Sequence, residues 1–221
     1  MKANFITDDA FIKEYNGRVE SNFDNSPILR VLNYVDGIVV GSNHFAVALV
    51  NSMKPLGMRV VNPLESERVI STNTLDLRNN YVDTALVLRS DGEPNLYLAS
   101  NLIKQVSKRG YDLNVPLVIP LAGLEVVKDT HSPQGLAFKL TDSAQIIKAF
   151  QLTTDNNGKN FSTFDAFGLP NPEVKKGSRI LNTGNSGLSG LSTIRNMTVN
   201  SSYNLIEYSN NDGRIVLFRD N

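Results

Sequence analysis

The chain of 221 residues contains no cysteine, no tryptophan and only two histidines. The absence of cysteine excludes disulfide bonds, thiolate catalysis and cysteine-ligated metal sites, and it leaves the redox compartment undetermined. The histidines, His44 and His131, lie far apart in the sequence, and no calcium loop of the D-x-[DN]-x-[DN]-G type is present. We therefore expect neither a metal ion nor a cofactor.

A charge excess of one sign is also missing. Lysine and arginine together number 22, as do aspartate and glutamate, so the formal net charge is zero. Domains that bind nucleic acid or anionic membranes usually carry a basic surplus. The first residues contain acids where a signal peptide needs an apolar run, and no run of about eighteen apolar residues occurs. We expect a soluble chain without a signal peptide, located in the cytoplasm of the producing cell or in an assembled virion.

Asparagine, glycine, serine, threonine and aspartate are plentiful, and they separate short apolar runs. These residues favour turns and side-chain to backbone hydrogen bonds over long helices. We predict an α+β fold with a single β-rich core, two or three short helices and a C-terminal β-hairpin. In that hairpin, the runs YNLIEYS and RIVLFRDN flank a turn at residues 210–213.

Several segments have a helical pattern. Residues 7–22 predict a short amphipathic helix, and residues 95–110 predict the clearest helix of the chain. Residues 43–53 fit either a helix, which would complete a βαβ unit, or a strand, and residues 144–152 are equally ambiguous. The run ERVIST, residues 67–72, is interpreted as a strand.

The composition changes near residue 151. Residues 1–150 are predicted to form the main α+β body with an N-terminal helix. Residues 151–221 are predicted to form a long polar excursion, followed by the hairpin, that packs on this body and does not fold independently.

Three candidate catalytic residues occur in the order His44, Asp83 and Ser186. Their contexts are GIVVGSNHF, VDTALVLR and TGNSGLSGL. These contexts resemble the histidine strand, acid strand and serine turn of chymotrypsin-like hydrolases, in particular the main proteases of picornavirus type. The resemblance implies a serine endopeptidase in which Ser186 is the nucleophile, His44 the base and Asp83 the group that orients the imidazole. The sequence departs from that pattern at Leu188, where the family has a second glycine, and it lacks the following Gly-x-His strand.

Three functions are compatible with these features. The first is a non-catalytic structural or assembly subunit of virion or phage tail or neck type, without catalytic residues. It would act through protein–protein surfaces, with copies of itself or other subunits as partners. The first alternative is the serine endopeptidase described above. The second alternative is a nucleotide-binding or small-ligand-binding protein that uses the turn at residues 41–43, in front of the possible helix.

Overall fold

The computed structural model describes residues 2–173, 177–194 and 198–219. Within them the chain forms four α-helices and fifteen strands, joined by short turns and loops. The helices are α1 (Asp9–Phe23), α2 (His44–Met53), α3 (Pro63–Ser71) and α4 (Leu96–Ser107). The strands are β1 (Lys2–Phe5), β2 (Asn33–Val35), β3 (Ile38–Val40), β4 (Arg59–Val60), β5 (Tyr81–Leu88), β6 (Leu117–Pro120), β7 (Leu124–Lys128), β8 (Leu136–Leu140), β9 (Ile147–Lys148), β10 (Lys159–Phe164), β11 (Pro170–Glu173), β12 (Arg179–Thr183), β13 (Leu188–Ile194), β14 (Thr198–Tyr203) and β15 (Val216–Arg219).

The largest sheet has eight strands in the order β11-β10-β12-β14-β13-β5-β6-β9. Neighbouring strands in it run antiparallel, except for the parallel pair β12 and β14. A second sheet has the order β1-β15-β4, and two hairpins, β2-β3 and β7-β8, complete the β-structure. The α+β, β-rich class predicted from the sequence is therefore confirmed.

Both faces of the largest sheet are covered at its central strands β13, β5 and β6. On β5, Leu86 and Leu88 belong to the main apolar cluster with α1, α2 and α4, whereas Ala85 and Val87 belong to a second cluster with β10 and β12. A strand covered on both faces appears in the sequence as a continuous apolar run, as VDTALVL does. Helix α2 is buried from His44 to Val50, which explains why its sequence is apolar on all sides.

Several local predictions agree with the structure. Helices α1 and α4 occupy the predicted segments, and the ambiguous residues 43–53 form helix α2. Residues 144–152 contain the short strand β9 and a single 3-10 turn.

The C-terminal hairpin prediction was wrong. Strand β15 does form from the run RIVLFRDN, but it pairs with β1 and β4 and not with the preceding YNLIEYS segment. The physical reason is burial on both faces, since Leu217 packs in the main cluster and Val216 and Phe218 pack in a third one. The backbone N–H and C=O groups of a strand buried in this way need hydrogen-bond partners other than water, and the strands β1 and β4 supply them on the two edges of β15.

Three other expectations also need correction. Residues 67–72 were predicted as a strand, but residues 67–71 belong to helix α3. That helix starts upstream of the run, with Asn62 and Glu65 forming a reciprocal capping box around Pro63. The βαβ unit that was one alternative for the segment around α2 does not form, because β3 and β4 lie in different sheets. Four helices form where two or three were expected.

Candidate functional site

Helix α2 begins at a tight turn in which Gly41 and Asn43 have distinct roles. Gly41 has a φ of +89°, and a Cβ there would lie 2.1 Å from the carbonyl oxygen of Val31, so the turn requires glycine. The Asn43 side chain caps the helix by accepting the N–H of Ala46 at 2.8 Å. Its amide also donates to the carbonyl groups of Ile28 and Glu207, both at 2.8 Å. These contacts fix the direction in which the helix starts.

The carboxylate of Asp83 lies beside this helix start and is held by two serine hydroxyls. Ser42 donates to Oδ2 at 2.6 Å, and Ser192 of the neighbouring strand β13 donates to Oδ1 at 2.7 Å. The pairing of β5 with β13 shifts register between Leu191 and Ser192. Such an irregularity can redirect a side chain, and it accounts for Asp83 and Leu86, three residues apart, both lying on the side of α2.

His44, the first residue of α2, packs against Gly190 of strand β13. A Cβ at Gly190 would lie 2.2 Å from Cε1 and Nε2 of the imidazole, so any other residue would displace the ring. The imidazole Nε2 lies 3.7 Å from Oδ1 of Asp83, which is too long for a hydrogen bond. His44 is only 2 % exposed, and its Nε2 is buried without a hydrogen-bond partner among the described residues.

Aromatic side chains of β14 and of the loop that follows it form the opposite wall. The rings of Tyr203 and Tyr208 meet edge to face, with centroids 6.1 Å apart and planes inclined by 70°. Tyr81 completes the aromatic lining and donates its hydroxyl to the carbonyl oxygen of Ser42 at 2.7 Å. The loop is anchored to the start of α2, because the His44 N–H donates to the carbonyl of Ile206 at 3.1 Å.

Together these groups enclose a cavity of about 270 Å³, which we name the His44 cleft. Its described lining residues are His44, Tyr81, Asp83, Ser192, Ile194, Asn200, Tyr203, Leu205, Tyr208, Asn210 and Asp212. Binding sites for small molecules typically combine apolar and aromatic walls with a few convergent polar groups. The His44 cleft has this composition.

Tyr81 and Tyr203 lie in an environment that disfavours a further negative charge. Burial raises the pKa of Tyr81 well above its usual value, and the nearby Asp83 carboxylate adds to this effect. Burial is also the largest cause of the raised pKa of Tyr203, followed by interactions with Tyr208, Asp83 and Glu207. Both phenols are therefore neutral near pH 7.

Ser186 lies in a different environment from His44 and Asp83. Its hydroxyl donates to the carbonyl oxygen of Glu93 at 2.5 Å, in the turn before β13, whereas His44 Nε2 accepts no hydrogen bond from the described residues. The neighbouring Gly187 has a φ of +61°, and a Cβ there would lie 2.3 Å from the carbonyl oxygen of Pro94. Gly187 thus permits close packing of this turn on residues 93–94. The structure brings His44 and Asp83 together and leaves Ser186 apart, so the implied three-residue catalytic set is not assembled.

Comparison with known proteins adds no assignment. No protein-family model matches the sequence, and no curated protein or solved structure is significantly similar to it. In the described part of the chain, no group of three or more histidine, aspartate or glutamate residues is arranged to hold a metal ion. None of the described helices has the length and apolar character needed to span a bilayer.

Several cleft residues could not be recognised as site residues from the sequence. Ser192 lies in a strand with no feature that marks it, and Tyr203 and Tyr208 were interpreted as parts of a hairpin strand. One signal was available in the sequence. The three cleft tyrosines, Tyr81, Tyr203 and Tyr208, fall within or directly beside segments rich in Asn and Ser. Aromatic residues in polar loops are more informative than those in apolar runs, because packing alone does not explain them.

Proposed function

We propose that the protein binds a small organic ligand in the His44 cleft, which corresponds to the small-ligand-binding function named above as the second alternative. One observation carries this proposal. The Nε2 atom of His44 is buried, has no partner among the described residues and belongs to a side chain that lines an otherwise mostly aromatic and apolar cavity. A buried polar atom without a hydrogen bond is costly. A ligand that supplies the missing hydrogen bond would remove that cost.

The architecture around the cleft favours a preformed site. Asp83 is held by two hydroxyls, Asn43 makes three hydrogen bonds, and the covering loop is hydrogen-bonded to the start of α2. Binding to such a site requires little rearrangement of the protein, which preserves affinity for a small molecule.

A screen of small organic fragments by ¹H–¹⁵N NMR, using the full chain, tests this proposal. We expect some fragments to shift the amide signals of Tyr203 and Tyr208. The variant Leu205→Trp places a bulky ring at the half-exposed edge of the cleft and is expected to abolish these shifts. Phe150→Trp is the matched control, because Phe150 is exposed and does not line the cleft. A screen in which no fragment perturbs the cleft signals would refute the proposal.

The assembly function of virion or phage tail or neck type stays a prediction. The edge strands available for β-addition are short, and β11 contains Pro170 and Pro172, which cannot donate backbone hydrogen bonds. The exposed apolar side chains of Leu56 and Phe150 belong to separate elements of the chain, and the exposed pair Tyr34 and Val35 lies in the short hairpin strand β2. A solution mass equal to that of a single chain would count against self-assembly.

A further inference from the structure

We propose that the ligand of the His44 cleft is a small organic ammonium ion that carries at least one N–H group and has an apolar body. This inference rests on the proposed function and names the chemical class of the ligand. It follows from the charge of Asp83, the lone pair of His44 and the orientation of the tyrosine rings.

The first argument concerns the charge of Asp83. The side chain is 4 % exposed, and the hydrogen bonds that it accepts from described residues come from the neutral hydroxyls of Ser42 and Ser192. None of the described residues that line the cleft is lysine or arginine, and the one basic side chain there, His44, lies 3.7 Å from Oδ1 of Asp83 and makes no hydrogen bond to it. A buried carboxylate is costly unless a positive charge accompanies it. A cationic ligand would provide that charge.

The second argument concerns hydrogen-bond geometry. His44 Nε2 and Asp83 Oδ1 are 3.7 Å apart, and both side chains line the cavity. One nitrogen atom can lie about 2.9 Å from each of two acceptors at this separation, a normal N–H to acceptor distance. An ammonium group placed there would donate one hydrogen to Nε2 of His44 and another to Oδ1 of Asp83. A neutral alcohol has a single hydrogen to donate and would satisfy only one of the two.

The third argument concerns the aromatic walls. Tyr203 and Tyr208 are inclined by 70°, so they form two sides of a corner, and Tyr81 lines the same cavity. The faces of aromatic rings attract cations, and sites for organic ammonium groups commonly consist of several such rings. Burial is the largest cause of the raised pKa of Tyr203, and the carboxylates of Asp83 and Glu207 add smaller contributions of the sign that a negative potential in this corner produces.

Three probes of similar shape distinguish the ligand classes: 2-phenylethylammonium, 2-phenylethanol and phenylacetate. We expect the ammonium ion to bind the full chain at least about tenfold more tightly than the alcohol, and the carboxylate to bind most weakly, as measured by NMR titration. Equal or tighter binding of the alcohol or the carboxylate would overturn the inference and leave the proposed function intact. If none of the three perturbs the cleft signals, this inference fails, whereas the proposed function is decided by the fragment screen.

Two pairs of variants locate the binding group. Asp83→Asn should remove most of the preference for ammonium over alcohol, whereas Asp76→Asn, which neutralises an exposed carboxylate beside Arg78, should preserve it.

Tyr208 is 47 % exposed, so its replacement is compatible with folding. Tyr208→Leu should weaken ammonium binding roughly 3- to 30-fold, and Tyr208→Phe, which keeps the ring, should retain it. An ammonium preference that survives both Asp83→Asn and Tyr208→Leu would contradict the inference. If Asp83→Asn does not fold, the Tyr208 pair decides alone.

Discussion

At the scale of single residues, the His44 cleft depends on one missing side chain. Gly190 leaves the space that the imidazole of His44 occupies, and Ser192, two residues further along the same strand, donates a hydrogen bond to Asp83. The strand therefore positions both the imidazole and the carboxylate. Neither role could be recognised from the sequence, because a glycine between Ser189 and Leu191 has no local signature that distinguishes it from a turn glycine.

We predict that Gly190→Ala destabilises the protein and displaces His44. The new methyl group would overlap the imidazole, and overpacking of this kind costs roughly 1–3 kcal/mol. Chemical denaturation should therefore show a lower free energy of unfolding, and the ligand-induced NMR shifts of the cleft should disappear.

The control for this change is Gly17→Ala in helix α1. A Cβ at Gly17 meets no atom within 4 Å, so the alanine should stabilise the helix by roughly 0.5–1 kcal/mol without affecting ligand binding. Equal stability of the Gly190→Ala variant and the unchanged protein would show that His44 can move freely, which contradicts the tight packing described above.

At the scale of secondary-structure elements, the start of α2 joins three parts of the chain. Asn43 caps the helix and also binds the carbonyl groups of Ile28 and Glu207, which belong to segments far apart in the sequence. The sequence left residues 43–53 open between helix and strand. Its apolar composition fits both, and the contacts that decide for a helix come from other parts of the fold.

We predict that Asn43→Ala lowers the free energy of unfolding by roughly 2–4 kcal/mol, because it removes a helix cap and leaves two carbonyl groups without their donor. Asp8→Ala, which removes the single exposed cap bond of α1 to the N–H of Ala10, should cost about 1 kcal/mol or less. Thermal and urea denaturation of both variants measure the difference. Similar losses for the two would mean that the additional bonds of Asn43 contribute little.

At the scale of the whole molecule, strand β13 joins the two predicted parts of the chain. It lies between β5 and β14 in the largest sheet, so residues from beyond position 150 pair with a strand of the main body. Its Leu188 and Leu191 belong to the two different apolar clusters that cover the faces of that sheet. The pairing of β15 with β1 connects the two parts a second time.

We predict that residues 1–150 do not fold when produced alone, because β5 would lose its neighbour and both clusters would lose side chains. The fragment should show poor dispersion of its amide NMR signals and no cooperative thermal transition. Addition of residues 151–221 should restore both. A well-dispersed spectrum of the isolated fragment would instead indicate that the main body is an independent domain.

The sequence by itself determined the elements whose signals are local. Helix α4 follows from the helical pattern of residues 95–110, and strand β5 corresponds to the apolar run VDTALVL. The α+β class follows from these elements and the abundance of turn-forming residues.

Only the tertiary structure decided the site. The contact of Ser192 with Asp83 joins residues 109 positions apart, and a polar contact at that separation leaves no periodic pattern in the sequence. The strand β15 was predicted, but its partner was not, because a run buried on both faces does not specify which strands will flank it. Pairing and packing of distant segments created the His44 cleft, and the same packing placed Ser186 elsewhere.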